Sequence, residues 1–514
     1  MSPTERGLPG ALSTGAPRLG AENVRRFGAR TVGPPSRAPG EEELGPQRTS
    51  YLGQSLLVTG RPAASRSDRV RRLAATSTTT GLTMRVDTRL DEVAEQLASL
   101  GEVARAIVDR YWVSEVHLSP SLDRGPCSPV DAWPVLKGVR AEGLDRSEVR
   151  LDHPVLACEP PREGQRRPVT LTMTPPQSQR RRRRRRPVVV IPDTGVGTHP
   201  WFVNEDEVRR DVSVASVGLG LDGPMNVSSP LPANPLDGRV RAYAGHGTFI
   251  AGIVRQQCPS ARIEAIRVVD NEGGVHERLL INTLVALLVR QAVALTQGNA
   301  DDVFDVVSLS VGYYHEEPGD ESTDPVLAGV LQELGAWGVA VVASAGNDAT
   351  TAPFHPATFA GQSSGLSPDR VPLVSVGALN PNGSSAHFSN SGSWVSCERA
   401  GVEVVSTVPT HLEGSAQAGQ GSDHLGQDRM ALDPDDFTGG FATWSGTSFA
   451  APVFAGQLAE HLASHRRIDR LDQASSVRRG WDAVSKEIPH WTRSRVRAGR
   501  DVSAHGVWPP TTAE

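Results

Sequence analysis

The sequence predicts an α/β fold built on a buried parallel sheet, and three observations carry this. Val188-Val189-Val190-Ile191 is an uninterrupted β-branched run between Pro187 and Pro192, the pattern of a strand covered on both faces. Two further apolar runs, 305–312 and 339–346, end in small residues and read as buried strands emerging beside a cleft. Segments 248–254 and 448–460 are rich in small and apolar residues and read as helices packed closely on such a sheet.

At 514 residues the chain exceeds the usual size of one hydrophobic core, so one large domain with additional segments is expected. Residues 1–80 are rich in Gly, Pro, Ser, Thr and Arg without sustained apolar periodicity, which predicts disorder. Met84 to Leu90 then alternates as a strand, and Asp91 to Trp112 places Val93, Leu97, Leu100, Val103, Ala104, Ile107 and Val108 at helical spacing. A small α+β unit over 84–160 follows, its helix capped by Asp91. Residues 161–187 form an arginine-rich linker, 188–465 the main domain, and 466–514 a partly helical tail.

Charge is divided unevenly: residues 1–187 hold 31 basic and 21 acidic groups, and the remainder 22 and 37. Nearly all the basic groups are arginine, since Lys137 and Lys486 are the only lysines. Such asymmetry points to contact with nucleic acid or a membrane, or to docking of one part of the chain on the other, loosened by salt. The run Arg180 to Arg186 reads first as a solvated linker; a nucleic-acid contact or a self-processing site are the alternatives. Nucleic acid is not the expected partner.

Three separated residues carry the chemistry. Asp193 ends the first strand in Asp-Thr-Gly, at the carboxyl edge where open α/β sheets place their sites; alone it also fits a turn aspartate. Gly195-Val196-Gly197 is no dinucleotide loop, because Pro200 stands where the third glycine belongs. His246 lies between Gly245 and Gly247, which lets backbone approach the imidazole, with Thr248 able to cap the helix behind it. Ser448, in Gly446-Thr447-Ser448-Phe449-Ala450-Ala451-Pro452, opens a helix whose N-terminal amides favour developing negative charge. A serine hydroxyl needs a base to take its proton and a third group to orient that base, and these residues supply such a set.

Asp193-Thr194-Gly195, His246-Gly247-Thr248 with Ala251-Gly252, Ala345-Gly346-Asn347, and Gly446-Thr447-Ser448 with Pro452 stand in this order over residues 188–465. With them the chain resembles the subtilisin-like serine peptidases, the subtilases, whose order Asp, His, Ser it shares. The resemblance implies a subtilisin-like three-layer fold with a mostly parallel seven-stranded sheet. It implies Ser448 as nucleophile, His246 as general base and then acid, and Asp193 as the group orienting the imidazole. Asn347 and the Ser448 N–H would form the oxyanion hole, and Ser308, Leu309, Ser310, Val311, Gly312, Ser344, Ala345 and Gly346 would line the substrate, pairing with its extended backbone. The acid-acting sedolisin relatives are expected to carry glutamate and aspartate where this chain has His246 and Asn347, so a neutral or mildly alkaline optimum is implied.

The pattern departs in three places: Pro192 precedes the aspartate, Tyr313-Tyr314-His315 follows Gly312, and a long polar insert lies between Val408 and Gly446. The expectation is a serine endopeptidase acting on protein or peptide substrates; the alternative is a protease-fold regulatory or binding protein. No cofactor is expected, and calcium has no supporting motif. Cys127, Cys158, Cys258 and Cys397 show neither metal spacing nor a disulfide framework. The first residues lack an apolar signal region and no later stretch reads as a membrane span, so a cytoplasmic location in a bacterium is expected.

Overall fold

This computed structural model describes residue 16 and residues 21–32, 48–61, 65–121, 130–157, 166–171, 173–177, 185–221, 240–317, 324–360, 366–412, 420–422, 426–430, 437–464 and 471–491. Its centre is a seven-stranded parallel sheet in the order Val208–Arg209, Arg262–Arg267, Val188–Asp193, Val306–Leu309, Ala340–Ser344, Val374–Leu379, Cys397–Ala400.

The β-branched run explains the layering. Successive strand residues point to opposite faces, so Val189 and Ile191 enter one core with the helices His246–Gln257 and Thr447–Ser464. Val188 and Val190 enter the other, with the helices Glu277–Gln297 and Pro325–Ala336. The result is the expected three-layer fold. Pro192 fits because Val188 offers its carbonyl to Asp305 N at 3.0 Å, so even-numbered residues of this strand face the neighbour Val306–Leu309. Pairing with that neighbour stops at Val190, and the missing N–H of Pro192 costs no ladder bond.

Glu277–Gln297 is long and apolar enough to cross a membrane, which the sequence reading missed, but most of it is buried inside the protein. Arg290 within it donates to Glu264 at 2.6 and 3.0 Å.

The N-terminal region differs from expectation. Residues 49–52, 55–59 and 65–79, read as disordered, form two strands and a helix. Ser55–Thr59 is an inner strand of a four-stranded antiparallel sheet with Leu82–Val86, Val113–Pro120 and Val149–Leu151, so the α+β unit begins well before residue 84. Leu56, Val58 and Leu73 join its core; the run is too short for composition to reveal it. The single helix predicted over 91–112 is two, Asp91–Ala98 and Glu102–Tyr111, separated by Gly101 at φ +136°. The N-cap position is Leu90, with Asp91 the first residue of the helix.

These two helices dock on the main domain through apolar surface. Leu97, Ile107, Val108 and Tyr111 share one core with Leu284, Leu288, Leu327 and Leu331, and Asn282 clasps Val113 through N–H and carbonyl at 3.0 and 2.9 Å. Docking combines this burial with the charge asymmetry, since Arg140 pairs with Glu316 and Glu317, Arg146 with Glu317 and Arg150 with Asp324 across the junction. Nor are the last arginines of the run solvated: Arg185 pairs with Asp305 at 2.7 Å and Arg186 donates to the Ser260 carbonyl at 2.9 Å. Arg180 to Arg184 lie outside the described residues. The tail contains one described helix, Gln473–Glu487, closed at its start by an Asp472–Ser475 capping box.

Candidate active site

Asp193 closes the strand Val188–Asp193, third in the sheet, and His246 opens a helix, and the two meet with Asp193 Oδ1 at 2.8 Å from His246 Nδ1. Both are buried. Oδ1 also accepts the Thr194 N–H at 2.7 Å. Gly245 supplies the turn, at φ +79°. A Cβ on Gly247 would lie 2.3 Å from the Gly195 carbonyl and 3.2 Å from Asp193 Oδ1, so glycine is what permits this approach. Thr248 caps nothing at its own helix; its hydroxyl accepts Gly197 N–H at 2.8 Å and ties the aspartate loop to the histidine helix. Tyr243, Trp444 and Phe449 pack around the imidazole with centroids at 5.8, 5.5 and 5.4 Å.

Ser448 stands in the first turn of Thr447–Ser464, whose helix packs against His246–Gln257. Its Oγ is buried with no hydrogen-bond partner, so the serine–histidine hydrogen bond is not formed in this state. In unliganded enzymes such bonds are often long and tighten with substrate. Thr447 organises the neighbourhood: its N–H and its hydroxyl both donate to Asn347 Oδ1 at 2.8 Å, and its hydroxyl accepts Gly346 N–H at 3.0 Å. With Oδ1 so occupied, the amide turns its NH2 toward Gly446, 3.2 Å from where a Cβ there would sit.

The residues expected to line the substrate divide. Ser308 and Leu309 lie inside the sheet, paired with Val342 and Ala343, and Ser344 pairs with Val376. Ala345 donates its N–H to the Val376 carbonyl at 3.0 Å, and the Gly346 carbonyl accepts Asn390 N–H at 2.9 Å. The Ser310 hydroxyl donates to the Ser448 carbonyl at 3.0 Å. Val311 and Gly312 do form an edge, but the chain's own strand Pro154–Ala157 fills it, pairing Val311 with Ala157 and Gly312 with Leu156. On its other side this strand pairs antiparallel with Gly274–His276, and Ala157 N–H donates to the Gly273 carbonyl at 2.8 Å. An edge read as open to substrate is occupied.

The chain returns at Arg166, whose guanidinium lies 4.8 Å from the Trp444 ring centroid and 5.1 Å from that of Phe437. It also donates to the carbonyls of Ala244 and Arg241. The strand Arg167–Pro168 then pairs with Ala442 and Thr443. Residues 158–165, between the filled edge and this anchor, lie outside the described residues, as does most of the insert between 413 and 436.

Sequence reasoning missed a buried polar cluster under the filled edge. Arg150 binds Asp324 at 2.9 Å; His153 Nδ1 lies 2.9 Å from Glu277 and its Nε2 3.1 Å from Glu316. Burial alone would lower the His153 pKa, but these two carboxylates outweigh it and raise it to about 10. Burial lowers His315 to about 4 and His355 to about 3. The unexpected Tyr313-Tyr314-His315 was the one visible signal, since Tyr313 donates to Asp324 from within this cluster. His153, His315 and Glu316 gather three ligand atoms within 4.8 Å. Two imidazoles do not suit calcium, which takes oxygen donors. Burial pushes the Cys258 and Cys397 thiols up to about 11 and about 12, against a thiolate nucleophile at either.

The chain is similar to known proteins. A family model described as "Subtilase family" matches residues 185–477. Thermitase of Thermoactinomyces vulgaris is 28% identical over 61% of this chain and 88% of its own length. Thermophilic serine proteinase of Bacillus sp. (strain AK1) is 23% identical over 58% of this chain and 63% of its own length. Subtilisin E of Bacillus subtilis (strain 168) is 24% identical over 50% of this chain and 56% of its own length. The chain thus spans 56% and 63% of the length of two of these relatives and 88% of the third.

Proposed function

The chain belongs to the subtilase family, and from that premise we propose that it is a serine endopeptidase hydrolysing peptide bonds through an acyl-enzyme on Ser448. The observation that carries this is the buried contact of 2.8 Å between Asp193 and His246 Nδ1. It leaves Nε2 as the nitrogen to act on a serine. His246 takes the Ser448 proton as the hydroxyl attacks the substrate carbonyl, and returns it to the leaving amine. Asp193 holds the tautomer and stabilises the imidazolium. The oxyanion is received by the Ser448 N–H and by the Asn347 amide, whose orientation Thr447 sets. Water then repeats the cycle on the ester.

The strand Pro154–Ala157 on the Val311–Gly312 edge supports a second part of the reading: the N-terminal region restrains the enzyme by occupying the place of a substrate backbone. The regulatory or binding alternative is disfavoured because the aspartate, histidine, asparagine and serine positions are all filled.

The test is labelling with a fluorophosphonate and locating the adduct by mass spectrometry. Modification of Ser448 alone, abolished in His246→Ala with the fold intact by circular dichroism, is the expected result. An active preparation carrying no adduct on Ser448 refutes it.

A further inference from the structure

The strand that fills the substrate edge begins immediately after His153, and His153 reaches across to residues that follow that same edge. His153 Nε2 lies 3.1 Å from Glu316 Oε2, and His315 Nδ1 lies 3.2 Å from the same oxygen. All three side chains are buried. A tetrahedral ion with ligand bonds of ~2.0–2.1 Å sets its donors roughly 3.3 Å apart. These two separations are close to that spacing, and all three donor atoms lie within 4.8 Å of one another.

The surroundings are those of a metal-binding histidine. Glu277 accepts at His153 Nδ1, 2.9 Å away, the carboxylate–histidine arrangement that fixes a ring with its other nitrogen toward an ion. Arg150 lies 3.7 Å from Glu277 and Arg140 3.5 Å from the second oxygen of Glu316, so the two carboxylates do not repel each other unscreened. His315 Nδ1 accepts Glu317 N–H at 3.2 Å, a long bond that an ion would replace. Independently, His355 is fully buried with no hydrogen-bond partner on either ring nitrogen, its ring 5.5 Å from His315. Buried polar groups are ordinarily paired, and this imidazole has a lone pair available for a fourth bond.

We propose that His153, His315 and Glu316 bind a divalent transition ion of the zinc class, and that the ion latches the strand Pro154–Ala157 onto the Val311–Gly312 edge. Two imidazoles and one carboxylate suit zinc or cobalt and not calcium or magnesium. The site joins two parts of the chain: His153 comes from the N-terminal region and the other ligands from the main domain, so it is complete only when the strand is seated. The latching role rests on the reading of that edge as the substrate's place; ion binding does not.

The experiment uses the full chain carrying Ser448→Ala, so that its outcome does not depend on catalysis. After dialysis against zinc and then against a weak chelator, elemental analysis is expected to find one zinc per chain. His153→Ala should abolish it. Glu316→Gln, which keeps the side-chain shape, should do the same, and Glu277→Gln should weaken affinity by about 10–100-fold. Cobalt in place of zinc should give the visible bands of a four-coordinate ion, lost in Glu316→Gln. Zinc absent from the parent chain, or present equally in His153→Ala and Glu316→Gln, overturns the site. For the latch, amide hydrogen exchange at Val155 to Ala157 should quicken when a strong chelator removes the ion, and should not respond in Glu316→Gln. Ion binding with unchanged exchange overturns the latch while leaving the site.

Discussion

Ser310 donates its hydroxyl to the carbonyl oxygen of Ser448 at 3.0 Å, the carbonyl that Pro452, lacking an N–H, cannot serve. In a regular helix the residue four positions on would bond it, and a proline at that position leaves it open. Ser310→Ala should strand a buried acceptor, at a cost of about 1–3 kcal/mol in denaturant unfolding. Adding Pro452→Ala restores an N–H at the right place and should recover part of the loss. Equal stability of the single and double variants would mean that Ser310 serves some other purpose.

Thr447 and Asn347 should separate by kinetics. Asn347→Leu removes the oxyanion donor and should lower kcat by about 10²–10³ with KM little changed. Thr447→Val removes the hydroxyl that holds Asn347 Oδ1 at 2.8 Å but keeps the backbone bond to the same oxygen, so its loss in kcat should be smaller and again without change in KM. A change confined to KM in either variant assigns these residues to substrate binding.

Ala157→Pro should raise the initial rate of peptide hydrolysis. It deletes the N–H donated to Gly273 at 2.8 Å and so weakens the strand on the substrate edge without touching Asp193, His246 or Ser448. Because the docking surface joins apolar contacts to an Arg150–Asp324 ion pair that is itself buried, the rate of the parent chain should respond little to added salt. An Ala157→Pro chain that folds and is no faster than the parent would show that the strand does not restrain the enzyme.

Acid should loosen the same junction. Burial alone would raise the Asp324 pKa, but the Arg150 guanidinium outweighs it and holds the carboxyl down to about 2. A carboxyl depressed in the folded state contributes stability that is complete above its unfolded pKa of roughly 4 and is lost as pH falls toward 2. Amide exchange in residues 149–151 should therefore quicken on acidification through this window, and Asp324→Asn should abolish that dependence while destabilising the chain at neutral pH by about 3–5 kcal/mol. An unchanged pH profile in Asp324→Asn assigns the acid response elsewhere.

The sequence by itself determined the parallel sheet, the three layers and the candidate residues Asp193, His246, Asn347 and Ser448. The strand run and the residues Asp193, His246 and Ser448 show in short local patterns, a β-branched run buried on both faces, glycines beside a histidine and small residues opening a helix, whereas the three layers and Asn347 came from the resemblance that four ordered motifs carry. Only the tertiary structure decided what fills the substrate edge, where the Ser310 hydroxyl goes, and that His153, Glu277, Glu316 and Asp324 share one buried cluster. Strand pairing between residues 154–157 and 311–312 joins segments far apart in the chain. No local periodicity records which distant strand satisfies an edge, because backbone hydrogen bonds are the same for every sequence. A lone histidine at 153 looks like any other until folding sets it between two carboxylates.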